Sequence, residues 1–477
     1  MPIPVLTVAQ MRQWEKATWA AGAREETVMR RAGQAVARAA ESLTRSDDVV
    51  LFLAGIGHNG DDTAFAAEFI SGRRKEVLRV TEPDLAQRDL EPLLARRPAL
   101  IVDGLFGIGL NRPLSADWSR LIELINHTDL PLLAVDVPSG LDADNGLPFG
   151  AAIRATVTLT LGAVKRGLIS TAAAPFVGRL EIARDIGLVP CPFKSDFAAV
   201  VPEDFQDYPP RRPVSGHKGA FGHLAILAGS RGFHGAAVLA ARGAQRAQPG
   251  LITLHVPESI YTPVAAQLQA VMVQPYTQQP ELPGNVTAVL VGPGLAAKDL
   301  AQSVRDAARS LWQHSQVPVI ADASALDWLP PGATAEKSLR VITPHPGEAA
   351  RMLGGSTAGV QSDRPAALRA LSQKFGGCWV VLKGHQTLVG RGSEPIAVNL
   401  SGNPRLAQGG SGDVLAGYIA GMLAQPEFQV NPSQALHFAV WQHGATADQL
   451  LASKRNFTME ELVTRLGCAE PLSIELV

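Results

Sequence analysis

The stretch Asn403-Pro404-Arg405-Leu406-Ala407-Gln408-Gly409-Gly410-Ser411-Gly412-Asp413-Val414-Leu415 decides how the second half of the chain folds. It places a glycine-rich turn directly before the apolar run VLAGYIAGMLA (414–424), the pattern of a buried helix. Gly-Gly-Ser-Gly followed by Asp is also linker and helix-cap chemistry, but a flexible linker does not lead into such a run. Glycines at this place let backbone N–H groups face an anion, and the helix dipole adds to the attraction. Asp413, in the first helical turn, is positioned to take or give a proton at a bound hydroxyl. No GxxxxGK[ST] occurs, which excludes a P-loop nucleotide site.

Upstream of that turn, short β-branched apolar runs alternate with helical spacing. They are HLAILAG (223–229), LITLHV (251–256), AVLVG (288–292), PVIADA (318–323), VITP (341–344) and CWVVLKG (378–384). Runs this short, ended by Gly, Asp or Pro, read as buried parallel strands. The first half repeats the pattern with VVLFLAG (49–55), EVLRV (76–80), LIVDG (100–104), PLLAVDV (131–137) and ATVTLTLG (155–162). Each half therefore reads as an α/β sheet with helices on both faces, whose ligands sit at the carboxyl ends of the strands. Between them, the proline-rich residues 189–216 show neither periodicity and suit a linker crossing a surface. The boundary is placed near residue 210, giving domains 1–208 and 209–477.

In the first half, Gly55-Ile56-Gly57-His58-Asn59-Gly60-Asp61-Asp62 follows a strand and opens a helix. Alone it is a loose GxGxxG, which either binds a pyrophosphate or merely packs. Two further strand ends bring carboxylates to the same edge: Asp103 before Gly107-Ile108-Gly109-Leu110-Asn111-Arg112-Pro113, and Asp136 before Pro138-Ser139-Gly140. A single acid after a strand is usually a cap or a satisfied turn, whereas several converging on one edge look like a site.

The order GxGxNGxD, DxLFGxGLxRP, VDVPSGLDAD (135–144), TLTLGAVKRGL (158–168) and DIG (185–187) resembles the NAD(P)H-hydrate epimerase domain, over residues 1–188. The resemblance implies a Rossmann-like α/β/α sandwich, a potassium ion held by Asn59, Asp103 and Ser139, and substrate contacts from His58–Asp62, Gly107–Pro113 and Asp136. Oxygen donors of these types suit a hard cation. Asp136 is the first choice for the proton-transfer group and Lys165 the second, a solvated residue after a strand being the other reading of Lys165. The family's NNGGDG differs here at Asp61 and Thr63, and its glutamate after Met29 is Arg30.

The second half resembles the ADP-dependent NAD(P)H-hydrate dehydratase domain of the ribokinase-like superfamily, from about residue 212 onward. The motifs are Gly216-His217-Lys218-Gly219, Ala228-Gly229-Ser230, Gly235-Ala236-Ala237, Gly292-Pro293-Gly294, Thr343-Pro344-His345-Pro346-Gly347-Glu348, Lys383-Gly384-His385-Gln386-Thr387, the Asp413 turn and AVWQHGATAD (439–448). The resemblance implies adenine-nucleotide contacts from Lys383, Gly384, His385, Gln386, Thr387 and Gly412. It implies hydrate contacts from Ala237, Gly294, His345 and Asp413, with Asp413 as catalytic base. Ala323-Ser324 follows Asp322 where the family often has a second Asp. Magnesium is expected with phosphoryl transfer, Glu348 being the one residue named for it. NAD(P)HX and ADP are the implied substrates and a homo-oligomer the implied assembly. The other reading is a ribokinase-like small-molecule kinase fused to a degenerate binding domain.

The 477 residues suffice for two large domains. A net charge of −1 gives no support to a nucleic-acid or anionic-membrane partner. Cys191, Cys378 and Cys468 lie far apart, without metal-ligand spacing, as expected of a reducing cytoplasm. Neither a signal peptide nor a membrane-spanning apolar run is read.

Overall fold

Central strands that are apolar on both faces must be covered on both, and this shapes each half of the molecule. The computed structural model describes residues 3–278, 280–334, 338–453 and 456–470. Its contacts divide the chain into two compact units, Ile3–Ala199 and Val200 onward. The proline-rich stretch spans this division.

The first unit contains β1 (Ile3–Leu6), β2 (Val49–Ala54), β3 (Arg74–Arg79), β4 (Leu100–Gly104), β5 (Leu132–Val135), β6 (Val157–Leu161), β7 (Val164–Lys165) and β8 (Arg179–Ala183). Its six-stranded parallel sheet has the order β3-β2-β4-β5-β6-β8. Side chains alternate across it. Val50 and Phe52 pack with helices Glu25–Ser42 and His58–Phe69, while Leu51 and Leu53 pack with helices Pro83–Ala95 and Ala116–Asn126. The result is the Rossmann-like sandwich expected. β1 pairs parallel with β7 and antiparallel with β9 (Phe197–Val200).

The second unit contains β10 (His223–Leu227), β11 (Leu251–Pro257), β12 (Met272–Tyr276), β13 (Ala288–Val291), β14 (Val319–Ala321), β15 (Arg340–Ile342), β16 (Trp379–Leu382), β17 (Leu388–Gly390) and β18 (Ile396–Asn399). Neighbours run β12-β11-β10-β13-β14-β15-β16-β17-β18, parallel as far as β16 and antiparallel beyond. Every apolar run read from the sequence is one of these parallel strands.

In both units the chain order reverses beside the first strand of the parallel set, between β2 and β4 and between β10 and β13. Loops leaving two such strands diverge to opposite faces and open a crevice at their carboxyl ends. The glycine-rich turns after β2 and β4, and those after β10 and β13, therefore meet in pairs.

The residues after 189 are not the free linker that composition suggests. Residues 197–200 form β9, and Phe205 is buried with its ring 5.3 Å from Phe438 and 5.0 Å from Trp441. Proline fixes local geometry without preventing an aromatic between prolines from finding a core.

The helix carrying Asp413, Ser411–Leu423, is buried from Val414 onward and packs closely on helix His234–Arg246. A Cβ on Gly417 would lie 2.0 Å from the Ala240 carbonyl oxygen, and one on Gly243 2.3 Å from that of Val414. Backbone, not side chain, sets this spacing. Gly417→Val should cost about 3 kcal/mol, the upper end of usual overpacking penalties, measured by urea unfolding. A cost under about 1 kcal/mol would show that the helix pair can part freely.

Candidate active sites

In the first unit the reversal between β2 and β4 opens a cavity of about 460 Å³. Its lining includes His58, Asn59 and Asp62 from the first turn, Gly107, Ile108 and Gly109 from the second, and Asp136 and Lys165 from the next strand ends. Lys165, read as either a proton-transfer group or a solvated residue, is 1% exposed. Its ammonium donates to Asp136 Oδ1, to Thr160 Oγ1 at 3.0 Å and to the Leu161 carbonyl at 2.7 Å. The Leu161 N–H also donates to Asp136 Oδ1, at 3.0 Å, so these bonds fall on one carboxylate oxygen. Asp136 reaches this position at φ 67°, a left-handed conformation that Asp tolerates better than most residues.

Asn59, Asp103 and Ser139 meet around Phe106. Asn59 Nδ2 donates to the Phe106 carbonyl at 2.9 Å, and the Phe106 N–H donates to Ser139 Oγ at 2.8 Å. Asp103, fully buried, accepts from Ser139 Oγ at 2.6 Å and from the N–H groups of Ser139 and Leu105 at 2.9 and 3.3 Å. Burial pushes its carboxyl up to about 6 despite those bonds, and no Lys, Arg or His pairs with it among the described residues. Asn59 Oδ1 is buried without a partner. An orphaned amide oxygen beside an uncompensated carboxylate and a hydroxyl is a donor set that fits potassium.

The departures from the family loop turn away from the cavity. Asp61 lies within helix His58–Phe69, without a positive φ, and pairs with Arg79 at 2.8 Å. Thr63 is buried, donates to the Asn59 carbonyl at 2.8 Å, and occupies the space a Cβ on Gly104 would need. Arg30 pairs with Glu26 and Glu68 over the Phe65 ring. Gly60 packs on the Gly55 backbone, and Leu110, Asn111, Arg112 and Pro113 lie outside the lining.

Sequence reasoning missed Glu15, which lines the cavity from helix Val8–Ala20. Burial and then repulsion by Asp136 raise its carboxyl above the usual range. Asp62, with Oδ1 buried and unpartnered, is raised well above it by burial, then by Asp136, Asp61 and Glu15. The available signal was helical spacing, since Glu15 follows the buried face of Met11, Trp14 and Thr18 by one turn from Met11.

In the second unit, the turns after β10 and β13 join through Ser230 Oγ, which donates to the Gly294 carbonyl at 2.6 Å, and Gly229 N–H, which donates to that of Pro293 at 2.8 Å. Ala237 packs against Gly229, and Gly294 against Phe233 and Ala236, so two of the four predicted hydrate contacts share this corner. The other contacts gather around Lys383. Its ammonium lies 2.8 Å from Asp322 and 3.8 Å from Glu348, and a Cβ on Gly412 would be 3.2 Å from it. Burial alone would lower the Lys383 ammonium, but Asp322 and Glu348 hold it above its ordinary value. Burial, then repulsion by Asp322, lifts the Asp413 carboxyl to about 6. His345 caps helix Pro346–Leu353: its Nδ1 accepts from the Gly347 N–H at 3.0 Å, and its own N–H donates to Glu348 at 2.7 Å. Gly384, His385, Gln386 and Thr387 continue from Lys383 into the turn before β17. Asp322 stands out in the sequence only as the neighbour of Ala323, and sequence reasoning passed over its own carboxylate; like Asp136 it ends a strand.

Lys383 occupies the space between Asp322 and Glu348, so these carboxylates are matched by an ammonium. That donor set does not fit a magnesium ion held by the protein alone. Among the described residues, no group of three or more His, Cys, Asp or Glu side chains forms a metal cluster, and no helix is long and apolar enough to cross a membrane.

The sequence is similar to the bifunctional NAD(P)H-hydrate repair enzyme of Gloeobacter violaceus, with 36% identity covering 93% of each chain. The chain belongs to the family of bifunctional NAD(P)H-hydrate repair enzymes. The Escherichia coli member is 33% identical, over 89% of this chain and 85% of its own. The family described as NAD(P)H-hydrate dehydratase matches residues 224–470, and that described as YjeF-related protein N-terminus matches 76–167. Among solved structures, a ribokinase-like superfamily protein from Enterococcus faecalis shares the fold of the second unit, with TM-score 0.50, 23% identity and coverage of 58% of this chain and 96% of its own. The ADP/ATP-dependent NAD(P)H-hydrate dehydratase of Bacillus subtilis, co-crystallised with ATP and Mg²⁺, is 30% identical, with TM-score 0.49 and coverage of 55% and 92%.

Removing one member of the Asp136–Lys165 pair strands a buried charge. Lys165→Met should destabilise the first unit by about 3–5 kcal/mol in chemical unfolding at neutral pH. Adding Asp136→Asn should recover part of that loss. Additive losses would show that the pair is not coupled.

Proposed function

We propose that the chain repairs hydrated NADH and NADPH in two reactions, the first unit interconverting the R and S hydrates and the second, which begins near Val200 rather than at residue 209, converting the S hydrate to NAD(P)H with ADP. The observation that carries this is the first cavity, whose buried Asp136–Lys165 pair and oxygen cradle remain assembled while the altered loop residues face elsewhere. A degenerate binding domain fused to a small-molecule kinase would have no reason to keep them.

Hydroxide is a poor leaving group, so dehydration is written as phosphoryl transfer followed by elimination. Asp413 takes the proton of the ring hydroxyl as its oxygen bonds to the terminal phosphorus of ADP. The bridging P–O bond breaks and AMP departs. Phosphate then leaves with the C–O bonding electrons, and loss of a proton from the adjacent ring carbon restores the double bond. The Gly409–Gly412 N–H groups, at a helix N-terminus, stabilise the migrating charge. Lys383–Thr387 and Gly412 receive the nucleotide; Ala237, Gly294 and His345 receive the hydrate. Magnesium accompanies the nucleotide phosphates in this reading, with no resident protein site.

In the first cavity the hydrated carbon carries a hydroxyl and the ring nitrogen. It inverts when a base removes the hydroxyl proton, the C–N bond opens to an aldehyde as an acid protonates the departing side, and the ring recloses on the other face. Asp136 Oδ2, which takes none of the bonds that hold Oδ1, is the base. Lys165 fixes it. Asn59, Asp103 and Ser139 would hold a potassium ion, whose charge would offset that of Asp103. A homo-oligomeric state and a cytoplasmic location belong to the same reading.

Purified protein given mixed NADHX should recover NADH absorbance with ADP, and no recovery with ADP or ATP would sink the repair reading. Asp413→Ala should abolish dehydration and leave R/S interconversion intact, whereas Asp136→Asn should do the reverse. Because Asp413 acts ionised and its carboxyl sits near 6, the dehydration rate should be level at higher pH and fall about tenfold per unit below about pH 6. A flat profile down to pH 5 would remove Asp413 as base. Potassium should raise the melting temperature of the wild type relative to sodium and not that of Asp103→Asn; an equal rise in both would place the ion elsewhere.

A further inference from the structure

The turn Lys383–Thr387 rests on a buried cation that the reaction scheme leaves unused. Arg364 is the first residue of helix Arg364–Lys374, whose N-terminus Asp363 caps by accepting from the Ala366 N–H. Its guanidinium spreads beneath the turn. Nη1 donates to the carbonyls of His385 and Gln386, and Nη2 to those of Leu382 at 3.1 Å and Lys383 at 3.5 Å. The side chain is 7% exposed, and no carboxylate pairs with it among the described residues.

This placement has two physical consequences. In a trans peptide the carbonyl and the next N–H point in opposite directions. Carbonyls of Lys383 and Gln386 drawn down to Arg364 therefore turn the N–H groups of Gly384 and Thr387 away from it, toward the open side of the turn. Such outward N–H groups are the donors an anion uses. The second consequence is electrostatic. Taking a guanidinium out of water without a counter-charge is costly, and burial lowers its pKa to about 10. Lys383, the neighbouring cation, is already matched by Asp322 and Glu348. The charge of Arg364 is left for a ligand to complete.

We infer that Arg364 is a positioning residue for the nucleotide: its fork sets the peptide orientations of the Lys383–Thr387 turn, and its unmatched charge favours the anionic phosphates of ADP there. Lysine supplies the charge without the fork, and so tests the two parts separately. The inference rests on the reading that ADP binds at this turn.

The test uses the full chain with Arg364→Met, Arg364→Lys and, as a check of that reading, Gly412→Val, which fills the space beside Lys383. KM for ADP, KM for the S hydrate and kcat are measured together with ADP binding by calorimetry. Arg364→Met should raise the KM and Kd for ADP tenfold or more, leaving kcat at saturating ADP within threefold and the hydrate KM unchanged. Arg364→Lys should fall between it and wild type. If Arg364→Met fails to fold, the lysine variant carries the test, with a rise of at least threefold in the ADP constants and no change in the hydrate KM. A uniform loss in kcat and both KM values, or unchanged ADP constants, overturns the inference. If Gly412→Val raises the ADP constants while Arg364 variants do not, only the Arg364 role fails. If neither site affects them, the nucleotide assignment itself fails.

Discussion

A carboxylate removed from water at the end of a strand must have its charge answered, and both sites are built around that demand. Asp136, just beyond β5, is answered by Lys165; Asp322, just beyond β14, is answered by Lys383. Asp103, inside β4, has hydrogen bonds but no cation among the described residues. Parallel strands deliver these acids to one edge because their carboxyl ends all point the same way. The sheet thus concentrates like charges where no isolated loop could hold them. Glu15, Asp62 and Asp413 are raised by this crowding as well as by burial.

The central parallel strands were legible because each is a short, doubly buried apolar run ended by Gly, Asp or Pro. Most strands outside that class were not, the parallel edge strand β8 among them. β17 and β18 are short antiparallel strands, and β12 carries Pro275 and alternates toward solvent, so none shows a continuous apolar signature. Phe205 was lost within a proline-rich segment because its packing partners, Phe438 and Trp441, lie more than 200 residues away. Periodicity reports local burial and is silent about partners so distant.

The glycine-rich turns and strand-end acids were legible for the same reason as the strands: both occupy fixed places in a β-α unit. Glu15 and Arg364 sit on helices that merely approach the sites, and nothing in their own neighbourhoods marks them. Within the first loop, motif spacing identified the right segment but not the direction of each side chain. Asn59 and Asp62, three residues apart on one helical face, turn into the cavity while Asp61, between them in sequence but off that face, turns outward to Arg79. A helix at that point settles which substitutions the loop can absorb.

The pinning of Lys165 has a chemical consequence of its own. An amine facing a newly opened aldehyde would condense with it, lose water and leave the enzyme trapped as an imine. Lys165 has its three N–H groups directed to Asp136, Thr160 and the Leu161 carbonyl. In the proposed ring opening, the contacts that steady the carboxylate would also keep the lysine from becoming a nucleophile, so a side chain often recruited for covalent chemistry would be a bystander to the bond changes beside it.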